Sequence, residues 1–281
     1  MTLIFAIGFW LISWGLVVWA ARTYGQPRWL RIFAPVLFGI TVLVLWEGVT
    51  RGLGISPVIL PPPSAIWAAI IANLPTLWID FVQTVLKGAV SGFVLGCAAG
   101  VAAALVIDRL PFLRQGFLPV ANFLAAMPIV GVAPIMVMWF GFDWQSKAAV
   151  VVVMVFFPML VNTLAGLGET DRMQRDLMAT YSATHAQTLT KLRLPAAMPF
   201  VFNGLKIAAT LALIGAIVAE YFGSPTRGMG FRISTEVGRL KIDMVWAEIA
   251  VAALSGSMLY GVIAVIEKWV TFWHPSQRGA R

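Results

Sequence analysis

The chain has 281 residues, of which 60% are apolar and 11% charged, whereas a soluble domain is about a quarter charged. Several apolar runs approach or exceed the roughly 20 residues that cross a ~30 Å hydrocarbon core. The class is a one-domain polytopic α-helical membrane protein, because a membrane β-barrel would show weak alternation in place of long apolar runs. The net charge of +8 does not indicate a nucleic-acid partner, since the basic residues sit in loops beside apolar segments, where they set topology.

The run from Met1 to Ala21 lacks a basic leading segment and is rich in Trp. It is longer than the apolar core of a cleaved leader, and so reads as a retained span. Spans are expected at about 3–21, 32–49, 82–107, 115–140, 147–168, 200–222 and 246–271. Loops 22–31, 108–114, 169–199 and the tail 272–281 carry Arg22, Arg28, Arg31, Arg109, Arg114, Arg172, Arg175, Lys191, Arg193, Arg278 and Arg281. The opposite loops carry only Arg51, Lys147, Arg227, Arg232, Arg239 and Lys241. The excess places the first set in the cytoplasm, the N-terminus outside and the C-terminus inside. Lys87, Lys206 and Lys268 fall near span ends, where they can snorkel.

Residues 50–81 read as an outer segment that does not span. Pro57, Pro61, Pro62 and Pro63 break any continuous helix. Ser64 ahead of Ala65-Ile66-Trp67 reads as the cap of a short interfacial helix, with Trp67 and Trp78 at headgroup level. Cys97 lies inside the third span and serves as inert packing. The same span has Gly88, Gly92, Gly96 and Gly100 on one helix face, a smooth stripe for close backbone approach. That stripe suits either static packing or a helix that slides during gating.

The fourth span contains Pro128, Gly131 and Pro134, which break the backbone ladder near mid-membrane. Freed carbonyls are tolerated only when buried or lining a cavity, and broken helices mark transport pathways. Met127, Met136 and Met138 would supply adaptable apolar surface there. This region is the first candidate for the pathway wall; the bland reading is a kink that only shapes the bundle. Asn203 and Lys206 open the sixth span and Glu220 closes it. Glu220 is either solvated or loop-paired, or a latch for the outer gate. Loop 223–245, with Gly223, Gly228 and Gly230 among its charges, could face a soluble delivery protein.

Residues 169–199 form the one sizeable polar interruption. They read as a short helix pair at the membrane surface, with Pro195 and Pro199 bracketing re-entry into the bilayer. There is no phosphate-binding G-x-x-x-x-G-K-[ST] loop, no His, Cys or carboxylate cluster with metal spacing (His185 and His274 are far apart), and no carboxylate at mid-span. The chain is therefore no enzyme, with no catalytic residue, no metal site and no cofactor of its own. An external motor is the economical source of energy. The alternative, an ion-coupled secondary transporter, would need inverted repeats and an intramembrane ionisable site; a membrane enzyme or scaffold would need a polar cluster at one face.

The central stretch resembles the coupling motif of binding-protein-dependent ABC importer permeases: an acidic residue with two alanines, then a glycine, then an Ile-x-Leu-Pro ending. Anchored on Leu194-Pro195, the acidic position falls on Asp176, the alanines on Leu177 and Met178, the glycine on Ser182 and the Ile on Leu192. Ser182 gives up conformational freedom that glycine would provide at a turn. Ile59-Leu60-Pro61-Pro62-Pro63-Ser64, Ala133-Pro134 with Trp139-Phe140-Gly141, and Ala219-Glu220-Tyr221-Phe222-Gly223 are similar to the nitrate/sulfonate/taurine subgroup. Asp176-Leu177-Met178 and Tyr181-Ser182-Ala183-Thr184 resemble its thiamine-pyrimidine-precursor and riboflavin branch.

The resemblance covers about residues 33–275. It implies a type I importer permease fold of six core helices, with 32–275 as the permease domain and 1–31 as an added helix and basic loop, in a bacterial inner membrane. It also implies a second permease copy, giving a homodimer, and two cytoplasmic ATPases holding ATP and Mg. An extracytoplasmic substrate-binding protein would deliver the solute. Asp176, Leu177, Met178, Tyr181, Ser182, Thr184, Leu192, Leu194 and Pro195 would couple to the ATPase. The substrate would be a small organic solute: a pyrimidine or vitamin precursor, or a sulfonate-, taurine- or nitrate-like anion.

Overall fold

The computed structural model describes residues 2–24, 29–110, 127–223 and 226–273, together with positions 112, 116, 119–121, 123 and 124. Arg28, Arg114, His274, Arg278, Arg281 and much of the first half of the expected fourth span lie outside the described residues. The described residues are helical, with no strand. They fall into two compact units, residues 1–77 with 233–249, and residues 78–232 with 250–281.

The first unit holds α1 (Thr2–Tyr24), α2 (Leu30–Gly52) and α3 (Pro63–Ala72). In lipid, helices gain little from burying apolar surface against each other, so close packing of small residues decides association. A methyl added at Gly48 would lie 2.3 Å from Ala6 Cβ, so α1 and α2 meet almost backbone to backbone there. Farther along, Thr41 Oγ1 and Ser13 Oγ lie 3.0 Å apart. Pro62 occupies the position before α3 and Pro63 its first turn, where a missing N–H costs nothing. Ser64 is therefore inside the helix, and the expected cap is displaced by two residues. Its hydroxyl instead donates to Glu47 Oε1 (2.7 Å) and its N–H to Glu47 Oε2 (3.0 Å), while Arg51 pairs with the same carboxylate at 2.5 Å.

The second unit is built on α4 (Leu74–Asp108), whose first turn belongs to the first unit, and on α5 (Ile129–Phe140), α6 (Trp144–Gly168) and a later helix, α8 (His185–Gly223). Between α6 and α8 stands α7 (Arg172–Thr180). The chain then continues through α9 (Met229–Gly238) and α10 (Ile242–Val270). α1, α2, α4, α6, α8 and α10 are each long and apolar enough to cross a membrane; α3 and α5 are shorter apolar helices. The third span begins at Leu74, not at 82, because its first turns are already apolar (Leu74, Leu77, Trp78). Trp67 and Trp78 are exposed.

The glycine stripe of α4 lies against α6. A methyl at Gly92 would fall 2.5 Å from Val151 Cβ, at Gly96 2.4 Å from Val155 Cγ2, and at Gly100 2.8 Å from the Phe156 carbonyl oxygen. α8 presents Ala208, Ala212 and Ala216 to the same core, which contains Cys97, Val151, Val155 and Met159. Only residues this small let three helix backbones share one core.

The proline sites differ. Pro128 interrupts the helical backbone, standing in extended conformation (φ −69°, ψ 117°) just before α5, which starts at Ile129. Pro134 is tolerated inside α5. At the other site, Pro195 and Pro199 do not separate a surface helix from the following span. α8 runs unbroken from His185, with a π-helical stretch at Leu189–Arg193. The Leu194 N–H reaches back to the Leu189 carbonyl, a wider turn that accommodates the missing N–H of Pro195.

Candidate functional site

Two polar sites lie at opposite ends of the second unit. The first is the loop 169–199. α7 starts where the Asp171 N–H donates to Gln174 Oε1 (3.1 Å), satisfying a group that a helix start leaves open. It ends in a paired turn: the Ser182 N–H donates to Ala179 O (2.8 Å) and the Ala183 N–H to Met178 O (3.0 Å). This pair of bonds requires a left-handed residue at the turn, and Ser182 has φ +51°. It is the position where the resembled motif has glycine. Thr184 then opens α8, its hydroxyl accepting from the Gln187 N–H (3.3 Å) and its own N–H donating to Gln187 Oε1 (2.8 Å).

No residue of α7 is buried. Met173, Leu177 and Tyr181, spaced four apart and so on one face, are 82%, 55% and 75% exposed. Asp176 is exposed and within 3.9 Å of Arg172. Leu192, Leu194 and Pro195 are half-buried where α8 leaves the loop. There Arg193 donates from Nη1 and Nη2 to the two oxygens of Asp108 (2.7 and 2.8 Å), and from Nε and Nη2 to the Leu167 carbonyl (3.1 and 2.9 Å).

The second site joins the far ends of α4 and α8 to the start of α9. The first N–H groups of a helix lack internal partners and carry partial positive charge. At α9 they are received by side chains from other helices. Gly228 N–H donates to Asp80 Oδ1 (2.7 Å), Met229 N–H to Thr84 Oγ1 (2.8 Å) and Gly230 N–H to Glu220 Oε2 (3.0 Å). Thr84 Oγ1 donates in turn to Glu220 Oε2 (2.7 Å), and Arg232 Nε to Asp80 Oδ2 (2.8 Å). Two glycines make this approach possible. Gly228 has φ +118°, and a methyl on Gly230 would lie 2.1 Å from the Ile217 carbonyl oxygen. Beside this cluster Lys147, which is buried, donates to the Phe142 carbonyl (2.5 Å) and to the Gly223 carbonyl at the end of α8.

A family described as "Binding-protein-dependent transport system inner membrane component" matches residues 92–272. This chain belongs to that family. The permease is 31% identical to the formylaminopyrimidine transport permease protein ThiX of Halalkalibacterium halodurans, over 90% of this chain and 100% of that one. It is 28% identical to the riboflavin transport system permease protein RibX of Chloroflexus aurantiacus, over 91% and 95%. It is 27% identical to the taurine transport system permease protein TauC of Escherichia coli, over 83% and 86%.

The coupling candidates of the permease lie on α7, on the turn that closes it and on the first turns of α8, whereas its pathway candidates are dispersed. Met127 borders an apolar cleft of about 70 Å³ with Leu124, Ile129, Val153, Pro158 and Leu211. Met136 packs on Ala133, Val150 and Ala219. A side chain at Gly131 would meet open space. Asn203 accompanies Asn162, to which its Nδ2 donates (3.0 Å). Glu220 is at the far end, buried and paired with a loop. Among the described residues no cluster of three His, Cys, Asp or Glu could hold a metal.

Sequence reasoning missed Asp80, Thr84, Asp108, Met173 and Asn162, and read Lys147 as a loop residue and Lys206 as snorkelling. Lys147 is buried, and Lys206 pairs with Glu267. For Met173, the four-residue spacing to Leu177 and Tyr181 was an available signal. The partners of Asp80 and Asp108 are 148 and 85 residues away, so no local signal exists.

Proposed function

We propose that this permease is the membrane-spanning subunit of an ATP-driven importer, coupled to a separate cytoplasmic ATPase through loop 169–199. The observation that carries the reading is the exposed row Met173, Leu177, Tyr181 on a helix with no buried residue. A short helix held by a capped start and a closed turn is a rigid lever, and its apolar row needs a partner surface. ATP binding to that partner biases the permease between outward- and inward-open states, as far as the partner's grip differs between them.

In this reading the loop lies in the cytoplasm of a bacterium and the permease is multi-pass in its inner membrane. A second copy completes the pathway as a homodimer, and an external binding protein delivers the solute to the end bearing Glu220, which latches the Gly228–Gly230 turn. α1 is an addition to the 32–275 permease domain. ATP and Mg belong to the partner. The solute is a small organic molecule. A pyrimidine or vitamin precursor is favoured, because relatives named for formylaminopyrimidine and riboflavin align over nearly the whole chain; a sulfonate- or taurine-like anion is the second choice.

The test is reconstitution with the ATPase and binding protein encoded beside this gene. Loaded binding protein should raise ATP hydrolysis in the complete complex. Leu177→Glu with Tyr181→Glu should leave the permease folded and abolish ATPase co-purification. Each apolar side chain buried in an interface is worth about 1.5–3 kcal/mol, so affinity should fall by well over tenfold. Full ATPase binding by the double variant would sink the coupling assignment.

A further inference from the structure

We propose that the Asp108–Arg193 fork is a mechanical joint, and that α4 is the rod that carries motion of loop 169–199 to the polar cluster at the opposite end. The proposal rests on the reading that an ATPase grips α7. The loop is covalently joined to α6 and α8, but α4 has no chain connection to it. Arg193, in the π-helical turn at the base of α8, supplies the link. Its guanidinium uses both carboxylate oxygens of Asp108, the last residue of α4, and the Leu167 carbonyl in the last turn of α6. That carbonyl is one that a helix end leaves without an internal partner. A single side chain thus ties three helix ends.

The pair is nearly sealed from solvent, with side-chain exposures of 12% for Arg193 and 3% for Asp108. A planar two-bond fork fixes direction as well as distance. Separating it would strand a buried carboxylate, so the three ends move together in preference to parting. α4 from Asp108 to Asp80 is hydrogen-bonded throughout, with a π-helical stretch at Val82–Val90, and at up to about 1.5 Å per residue it is at most roughly 40 Å long. Its far end holds Asp80 and Thr84, which receive the Gly228 and Met229 N–H groups. Displacement of the base of α8 is therefore delivered to the turn that Glu220 also holds.

The experiment uses the full permease with its ATPase and binding protein. Cys97 is replaced by alanine, and Thr226→Cys reports on the far turn through its rate of maleimide labelling with and without a non-hydrolysable ATP analogue. In the parent the analogue should change that rate several-fold. Arg193→Lys keeps the charge and loses the fork. Asp108→Leu with Arg193→Met removes the fork without stranding a charge, which protects folding. In both, the ATPase should still co-purify and hydrolyse ATP at its basal rate. The response at Thr226→Cys and the stimulation by loaded binding protein should be lost.

If the fork-free pair keeps the labelling response and the stimulation, the joint is overturned. An unresponsive parent complex that still shows stimulation overturns the rod. Failure of the ATPase to bind the parent permease overturns the coupling reading instead, so the two failures are told apart.

Discussion

Ser182 shows how much a single φ angle reports. A non-glycine residue in the left-handed region costs about 1–2 kcal/mol, and the turn after α7 accepts that cost at φ +51°. Ser182→Gly should relieve it and raise the melting temperature of the purified complex with ATPase stimulation intact. Ser182→Val, whose branched Cβ fits this region poorly, should lower both. Glu220 makes the converse point, since its value lies in what it receives. Glu220→Ala would leave the Gly230 N–H buried without its acceptor, a loss of about 1–3 kcal/mol. Thermal unfolding in detergent should register that loss, and Glu220→Gln, which retains an acceptor oxygen, should show a smaller one. Equal melting temperatures for both variants and the parent would mean that Glu220 does not hold the turn.

Among elements, α4 and α5 contain glycines of opposite meaning. Gly96 faces α6 with no room for a methyl, whereas Gly131 of α5 faces open space. Gly96→Val forces backbones apart and should cost about 1–3 kcal/mol or more, seen as lost folded yield by size-exclusion chromatography. Gly131→Ala should be neutral, or stabilising by up to about 1 kcal/mol through helix propensity. An equal loss of yield in both would mean that the stripe is not the seam between α4 and α6. The helix interruptions divide in the same way. Pro128 sits before a helix start, where a missing N–H is harmless, while Pro195 follows a π turn that makes room for it.

For the molecule as a whole, the proposed orientation rests on the charge bias of the sequence. Ion pairs occur in both sets of loops: Arg51 with Glu47, Arg232 with Asp80 and Arg239 with Glu236 in the set assigned outside, and Arg172 with Asp176 and Arg193 with Asp108 in the set assigned to the cytoplasm. The buried Cys97 provides a silent background for labelling. In right-side-out vesicles, an impermeant maleimide should spare Arg175→Cys and modify Lys241→Cys; inside-out vesicles should give the reverse. The opposite pattern would invert the topology and remove the loop from the reach of a cytoplasmic ATPase.

The helical membrane class and the order of the long apolar helices were legible in the sequence, because a bilayer imposes length and apolarity on each span independently of its neighbours; the starts at Leu74 and His185, eight and fifteen residues before the expected ones, were not. The turn at 182 was legible as well, because its constraint acts within a few residues, whereas the continuous helix through Pro195 and Pro199 was not. The cluster that seats α9 and the fork at Arg193 were not. Apart from Glu220 and Gly230, their partners are 85 or more residues apart, and in a list of residues Asp80 and Asp108 are indistinguishable from solvated span-end carboxylates. Only the packing of α4 along α6, set by glycines that let the backbones touch, brings those carboxylates to the groups they bind.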